Sequence, residues 1–178
     1  EGLVRPGMII IGADSHTCTY GAMGAFSTGM GSTDLAAAWI TGWTWLKVPE
    51  SMKFVLTGKL PAWVGGKDVI LHILGRIGVD GARYRAMEFT GEGIAGIDLE
   101  GRLSMCNMAV EAGGTSGICY PDMHTVDYLW PYIRSEYASR EAALKAFQPL
   151  ISDPDASYEA VMTMDVSELA PMVTHGYL

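Results

Sequence analysis

Short apolar runs of strand length alternate with longer segments of helical spacing along nearly the whole chain. Few folds accept that order. Consecutive strands separated by helices go most readily into a sheet covered by helices, so the sequence predicts an α/β fold. The first run, Met8-Ile9-Ile10-Ile11, lies between Pro6-Gly7 and Gly12 and reads as a buried strand. Met52 to Leu56 places Met52, Phe54 and Leu56 on one face of a second strand. Ala82–Thr90, Ser116–Tyr120 and Tyr158–Val166 complete the set.

The predicted helices have their own punctuation. One is capped by Ser32 or Thr33 and runs to about Leu46. Gly66-Lys67-Asp68 opens another, with Val69, Ile70, Ile73, Leu74 and Ile77 at helical spacing, ended by Gly78. Asp98 starts a third that stops at Gly113-Gly114. Met123–Trp130 is expected to break before Pro131, and Arg140–Phe147 to follow Ser139. Residues 60–66 and 149–157 are linker candidates without a clear domain boundary, and no internal repeat is visible.

Composition narrows the function. A chain of 178 residues with 49% hydrophobic residues can build a real core. Its net charge of −8 argues against nucleic acid as a partner. No apolar run approaches a membrane span. Three cysteines cannot all pair internally, which fits a reducing, cytoplasmic compartment. The chain starts at Glu1 and stops at HGYL, and is expected to be a segment of a longer polypeptide, with a trimmed mature chain as the alternative.

The chemistry concentrates in GADSHTCTYGA, residues 12–22, after the first strand. If that stretch is extended, Asp14 and His16 share one face, with Ser15 and Thr17 on the other. A hydrolytic triad of neighbours is then disfavoured, since triad partners normally come from distant parts of a chain. A second candidate is Asn107 with Glu111, i and i+4 on a helix with small and apolar neighbours. They form either a solvated face or a pair aimed into a cleft. Gly29-Met30-Gly31 is half of a dinucleotide fingerprint, but Asp34 stands where the third glycine belongs, so a tight turn is preferred. Cys106 and Cys119 show no C-x-x-C pair and read as packing residues, while Cys18 flanks the polar motif and stays open. His72 reads as packed or surface, and His124 and His175 receive no role.

Four stretches together resemble the aconitase superfamily, in particular the large subunits of its two-subunit dehydratases. They are GADSHTCTYGAMGAF (12–26), STDLAAAWITGWTWLKVP (32–49), GKDVILHILGRIGVDGARYRAMEFTGEGI (66–94) and EGRLSMCNMAVEAGGTSGICYPD (100–122). The resemblance implies a layered α/β/α domain around a mixed sheet, the whole chain being part of the iron-sulfur domain region. It implies a hydro-lyase that isomerises a small hydroxy-carboxylic acid by dehydration and rehydration at a 4Fe-4S cluster. 2- and 3-Isopropylmalate, in leucine biosynthesis, are the expected substrates. Homoaconitate-type or dimethylmalate-type acids, or a non-catalytic binding domain, are the alternatives. Carried over, Asp14, His16 and Glu111 are catalytic, His16 pairing with Glu111 and Asp14 with a histidine upstream of this segment. Ser15 contacts a substrate carboxylate and Asn107 lies beside the cluster. The ligand cysteines are expected downstream of Leu178, so these residues alone supply no metal ligand and should be inactive. A small subunit is the implied partner.

Overall fold

A computed structural model describes residues 2–174; His175 lies outside the described residues. The chain forms β1 (Ile9–Gly12), β2 (Phe26–Gly29), α1 (Ser32–Thr41), β3 (Ser51–Thr57), α2 (Gly66–Ile77) and β4 (Ala86–Thr90). It continues through α3 (Leu99–Asn107), β5 (Ser116–Cys119), α4 (Met123–Ile133), α5 (Arg140–Phe147) and β6 (Ala160–Asp165). The strands make a two-stranded sheet, β1-β2, and a four-stranded sheet in the order β5-β4-β3-β6. The α/β class holds. Every pairing among the described residues is parallel, where a mixed sheet was expected. The reason is topological: each neighbouring pair is joined by a crossover long enough to return the chain to the same end.

The larger sheet carries the core on one face. Register sets Met52 beside Met87 and Phe54 beside Phe89 and Met162. The Phe54 and Phe89 rings lie 5.8 Å apart. Val69, Ile70 and Ile73 of α2 and Leu129 and Ile133 of α4 join them, all fully buried. The opposite face holds a polar cluster on Glu88. The hydroxyls of Tyr158 and Ser152 donate to its carboxylate at 2.8 and 2.9 Å, that of Tyr120 also donates, and Lys53 Nζ stands 3.7 Å away. Burial, and then this bond to Glu88, push the Tyr120 phenol above its ordinary pKa. Segment 149–157 is thereby tied to the sheet through Ser152.

Several expected boundaries move for local reasons. β1 is half-exposed, not buried, because among the described residues β2 is its only strand partner; Ile9 is 69% exposed. β2 hides inside the glycine-rich stretch. α1 begins after Gly31 with no side-chain cap and ends at Thr41, because Gly42 takes a left-handed turn (φ 76°). Residues 82–85 turn before β4 begins. α4 runs through Pro131 to Ile133. The proline falls in the last turn, where it removes few backbone bonds, and burial of Leu129 and Ile133 outweighs that loss.

Candidate functional site

The polar motif leaves β1 at its carboxyl end, the favoured place for chemistry in parallel sheets. It does not stay extended. Asp14 caps a 3-10 helix over Ser15–Met23, its Oδ1 accepting from the His16 amide at 2.6 Å. Such a cap contributes about 0.5–2 kcal/mol. Alternation of faces therefore does not apply here: Asp14, Ser15 and His16 curl around one turn.

Glycines let this helix sit deep. A β-carbon on Gly21 would collide with the Gly117 carbonyl of β5. A β-carbon on Gly117 would stand 2.9 Å from Cys106 Cα. So the 3-10 helix, β5 and α3 meet backbone to backbone. Gly29 of β2 does the same for the motif itself, since a β-carbon there would lie 2.6 Å from the Asp14 carbonyl and 2.8 Å from Ser15 Cα. The expected tight turn at Gly29–Gly31 is not formed: Gly29 ends β2, Gly31 precedes α1 with φ −58°, and what Gly29 permits is the close approach of β2 to the Asp14–Ser15 backbone.

This packing brings together residues far apart in sequence. His16 Nδ1 lies 3.4 Å from Asp14 Oδ1 and 3.3 Å from Ser15 Oγ. Its Nε2 faces Glu111 Oε1 at 3.7 Å. Glu111 sits in a short 3-10 helix, Met108–Ala112, that follows α3 and is closed by Gly113 in a left-handed turn. The i and i+4 pair is thus split between two kinds of helix, yet both members reach the motif. Asn107 Nδ2 donates to Thr19 Oγ1 at 2.9 Å, and Thr19 Oγ1 donates to the His16 carbonyl at 2.6 Å. Thr19 is the residue that pattern reading passed over; its signal was a hydroxyl one turn past His16. The His16, Asp14 and Glu111 side chains are 45%, 77% and 55% exposed, so these pairs add little stability. Their effect is to orient the ring, with a carboxylate near each nitrogen.

Two clefts border these residues. One of about 420 Å³ takes walls from Ala13, Ser15, Met30, Tyr84 and Val110. Another of about 340 Å³ lies over Asn107 and Thr19. A larger one, about 560 Å³, adjoins the first through Gly29 and Tyr84 but touches none of the candidate residues.

The cysteines pack. Cys106 and Cys119 are fully buried with sulfurs 3.8 Å apart. Burial, then the contact with Cys119, holds the Cys106 thiol well above its ordinary pKa. Cys18 is also fully buried and contacts the Asn107 carbonyl at 3.5 Å; burial raises its pKa too. Sulfurs turned into the core, away from any cleft, do not fit a cluster. Among the described residues, no three His, Cys, Asp or Glu side chains are placed to share a metal ion. His72 is half-buried on α2, its pKa lowered by burial and then by Arg76. His124 Nε2 lies 3.1 Å from the Ala95 carbonyl.

Comparison with known proteins gives the family. The chain matches the aconitase family (aconitate hydratase) over residues 1–178, and it belongs to that family. Curated relatives include the 3-isopropylmalate dehydratase large subunits of Desulfosudis oleivorans and Geobacter sulfurreducens, each 55% identical over 99% of this chain. That of Aquifex aeolicus is 53% identical over all of it. The chain spans 41%, 42% and 39% of these three relatives' own lengths. Among the described residues, no helix is long and apolar enough to cross a membrane.

Proposed function

We propose that the protein carrying this sequence is the large subunit of a 3-isopropylmalate dehydratase. It removes water from a small hydroxy acid and adds it back. The observation that carries this reading is the His16–Glu111 pair at 3.7 Å, with Asp14 on the other ring nitrogen, in a chain of the aconitase family. Dehydration needs a proton taken from carbon and a hydroxyl protonated as it leaves. An imidazole bracketed by carboxylates serves as a proton carrier for the second task, and Glu111 and Asp14 hold it in position. Ser15, at the mouth of its cleft, hydrogen-bonds a substrate carboxylate. Asn107 fixes the helix end beside His16 through Thr19.

A 4Fe-4S cluster belongs to this function as a Lewis acid, and its ligands lie outside these 178 residues. The three cysteines present face the core, so no step is assigned to them. The rest of the large subunit and a small subunit complete the site. Isopropylmalate is preferred over homoaconitate-type and dimethylmalate-type acids because the relatives named above carry that activity in their names.

The test uses the complete protein, reconstituted with iron, sulfide and the small subunit, and follows hydration of the unsaturated intermediate. Wild type should turn over 3-isopropylmalate, and His16→Ala should lose about 10²–10⁴-fold in kcat. Near-normal turnover in that variant overturns the role of His16. Stoichiometric labelling of Ser15 by a serine-reactive probe would favour a hydrolase instead, given the 3.3 Å contact between Ser15 Oγ and the imidazole.

A further inference from the structure

We propose that Thr19 is a positioning residue: its single hydroxyl couples His16 to Asn107 and so sets the His16–Glu111 pair. The inference rests on the dehydratase reading and deepens it, by naming the group that keeps the two halves of the site in register. A hydroxyl has one hydrogen to give and two lone pairs. Thr19 stands one turn after His16 in the 3-10 helix and spends its hydrogen on the His16 carbonyl at 2.6 Å. A carbonyl can only accept, so the direction of that bond is fixed. What is left to Thr19 Oγ1 is to accept, and it accepts from Asn107 Nδ2 at 2.9 Å. The Asn107 amide therefore has to turn its NH2 group toward Thr19 and its oxygen away.

The residue before Thr19 grips the same place. Cys18 is fully buried, and its sulfhydryl donates to the Asn107 carbonyl at 3.5 Å. Burial raises the pKa of that thiol; the Val110 backbone, hydrogen-bonded to it, works the other way. Asn107 is the last residue of α3, where carbonyls run out of α-helical partners. Two consecutive residues of the motif thus hold Asn107 by its side chain and by its backbone. This accounts for the thiol of Cys18, which has no chemical task in the site.

Glu111 follows in the short 3-10 helix that starts at Met108, directly after Asn107. Its carboxylate stands 3.7 Å from His16 Nε2 only while that helix leaves α3 at a set height against the motif. The pair is half-exposed and holds itself together weakly. The clamp supplies what the pair lacks. A closed circuit runs from the His16 carbonyl through the Thr19 hydroxyl and the Asn107 amide, along the backbone to Glu111, and back to the His16 ring. Groups held in such a frame keep their mutual geometry without strong attraction between them.

The experiment measures kcat per folded molecule in the complete reconstituted protein, for hydration of the unsaturated intermediate. It compares wild type, Thr19→Val, Thr19→Ser, Glu111→Gln and the double variant Thr19→Val with Glu111→Gln. Valine keeps the shape of threonine and makes neither hydrogen bond; serine keeps the hydroxyl. Thr19→Val should lower kcat about tenfold, the range for losing an orienting partner. Thr19→Ser should restore kcat to within about threefold of wild type. In the Glu111→Gln background the valine change should cost less than about threefold, because no carboxylate is left to place. A Thr19 that only supports the fold would cost the same factor in both backgrounds, and that result overturns the proposal. So does a loss below about threefold in Thr19→Val alone, or an equal loss with serine and valine. Absence of turnover in wild type is a different result: the dehydratase reading then fails and takes this inference with it.

Discussion

His16 Nε2 stands 3.7 Å from Glu111 Oε1, although the two belong to different 3-10 helices on either side of most of the fold. Only the docking of the first of these helices on α3 and β5 brings them together. The pairing gives the first expectation. In the complete reconstituted protein, Glu111→Gln should lower kcat about 10–100-fold, the range for losing an orienting partner. Its melting temperature should hardly move, because the pair is half-exposed. A large stability loss with normal turnover would make Glu111 structural.

Asp14 does two separable things: it caps the helix and it places charge near His16 Nδ1. Asn is as good a cap as Asp. Asp14→Asn should therefore keep the fold, within about 0.5 kcal/mol by urea unfolding, and lose activity. Asp14→Ala should lose activity and also about 1 kcal/mol of stability. Equal stability for the two variants would show that the cap contributes nothing.

Gly29→Ala tests the close approach of β2 to the motif. The new methyl would press on the Asp14 carbonyl and Ser15 Cα, which are backbone and cannot swing aside. A destabilisation of about 1–3 kcal/mol is expected. A drop in turnover should exceed what loss of folded protein explains, read from kcat against the folded fraction.

Arg102 is fully buried. Its Nε donates to the Ile97 carbonyl at 3.0 Å, and one terminal nitrogen donates to the Ile94 carbonyl at 2.9 Å and Asp122 Oδ2 at 2.6 Å. Arg102→Met would keep some of the volume and strip those acceptors of their donor. Unsatisfied buried acceptors predict a loss of about 2–4 kcal/mol, measured by denaturant midpoint at constant m-value. No loss would mean that water replaces the guanidinium.

The Cys106 thiol is held above its ordinary value of 9.0 by burial and by Cys119. The folded state thus keeps a proton that the unfolded chain releases above pH 9.0. Its contribution is fully present below that pH and fades as pH rises further. Relative to Cys106→Ala, wild type should lose stability between pH 9 and pH 10.5, by about 1.4 kcal/mol per pH unit at most for one proton. Alkylation of native protein at pH 8 should also be slow until the chain is unfolded. Rapid alkylation of Cys106 in the native state would contradict its burial.

The regular parts of this fold were legible in the residues themselves. The alternation of Met52, Phe54 and Leu56 became the buried face of β3, and Val69, Ile70 and Ile73 became the buried stripe of α2. Ser139 and Asp98 cap α5 and α3 as their positions suggested. Periodicity and capping are local, so a local pattern carries them. Residue type and family likeness also drew attention to Asp14, His16, Asn107 and Glu111, which the fold gathers at one place.

Tertiary structure decided how those residues stand. No local pattern marks the DSHT segment as a 3-10 helix, because it is held in that form by contacts with β5 and α3. Gly21, Gly29 and Gly117 look alike in a list of glycines, and become necessary only when the backbone opposite each is known. Pro131 reads as a helix stop, yet the burial of Leu129 and Ile133 carries α4 past it. The physical reason is the same in each case. Local signals set which short conformations are cheap, while burial and close backbone contact between distant segments choose among them.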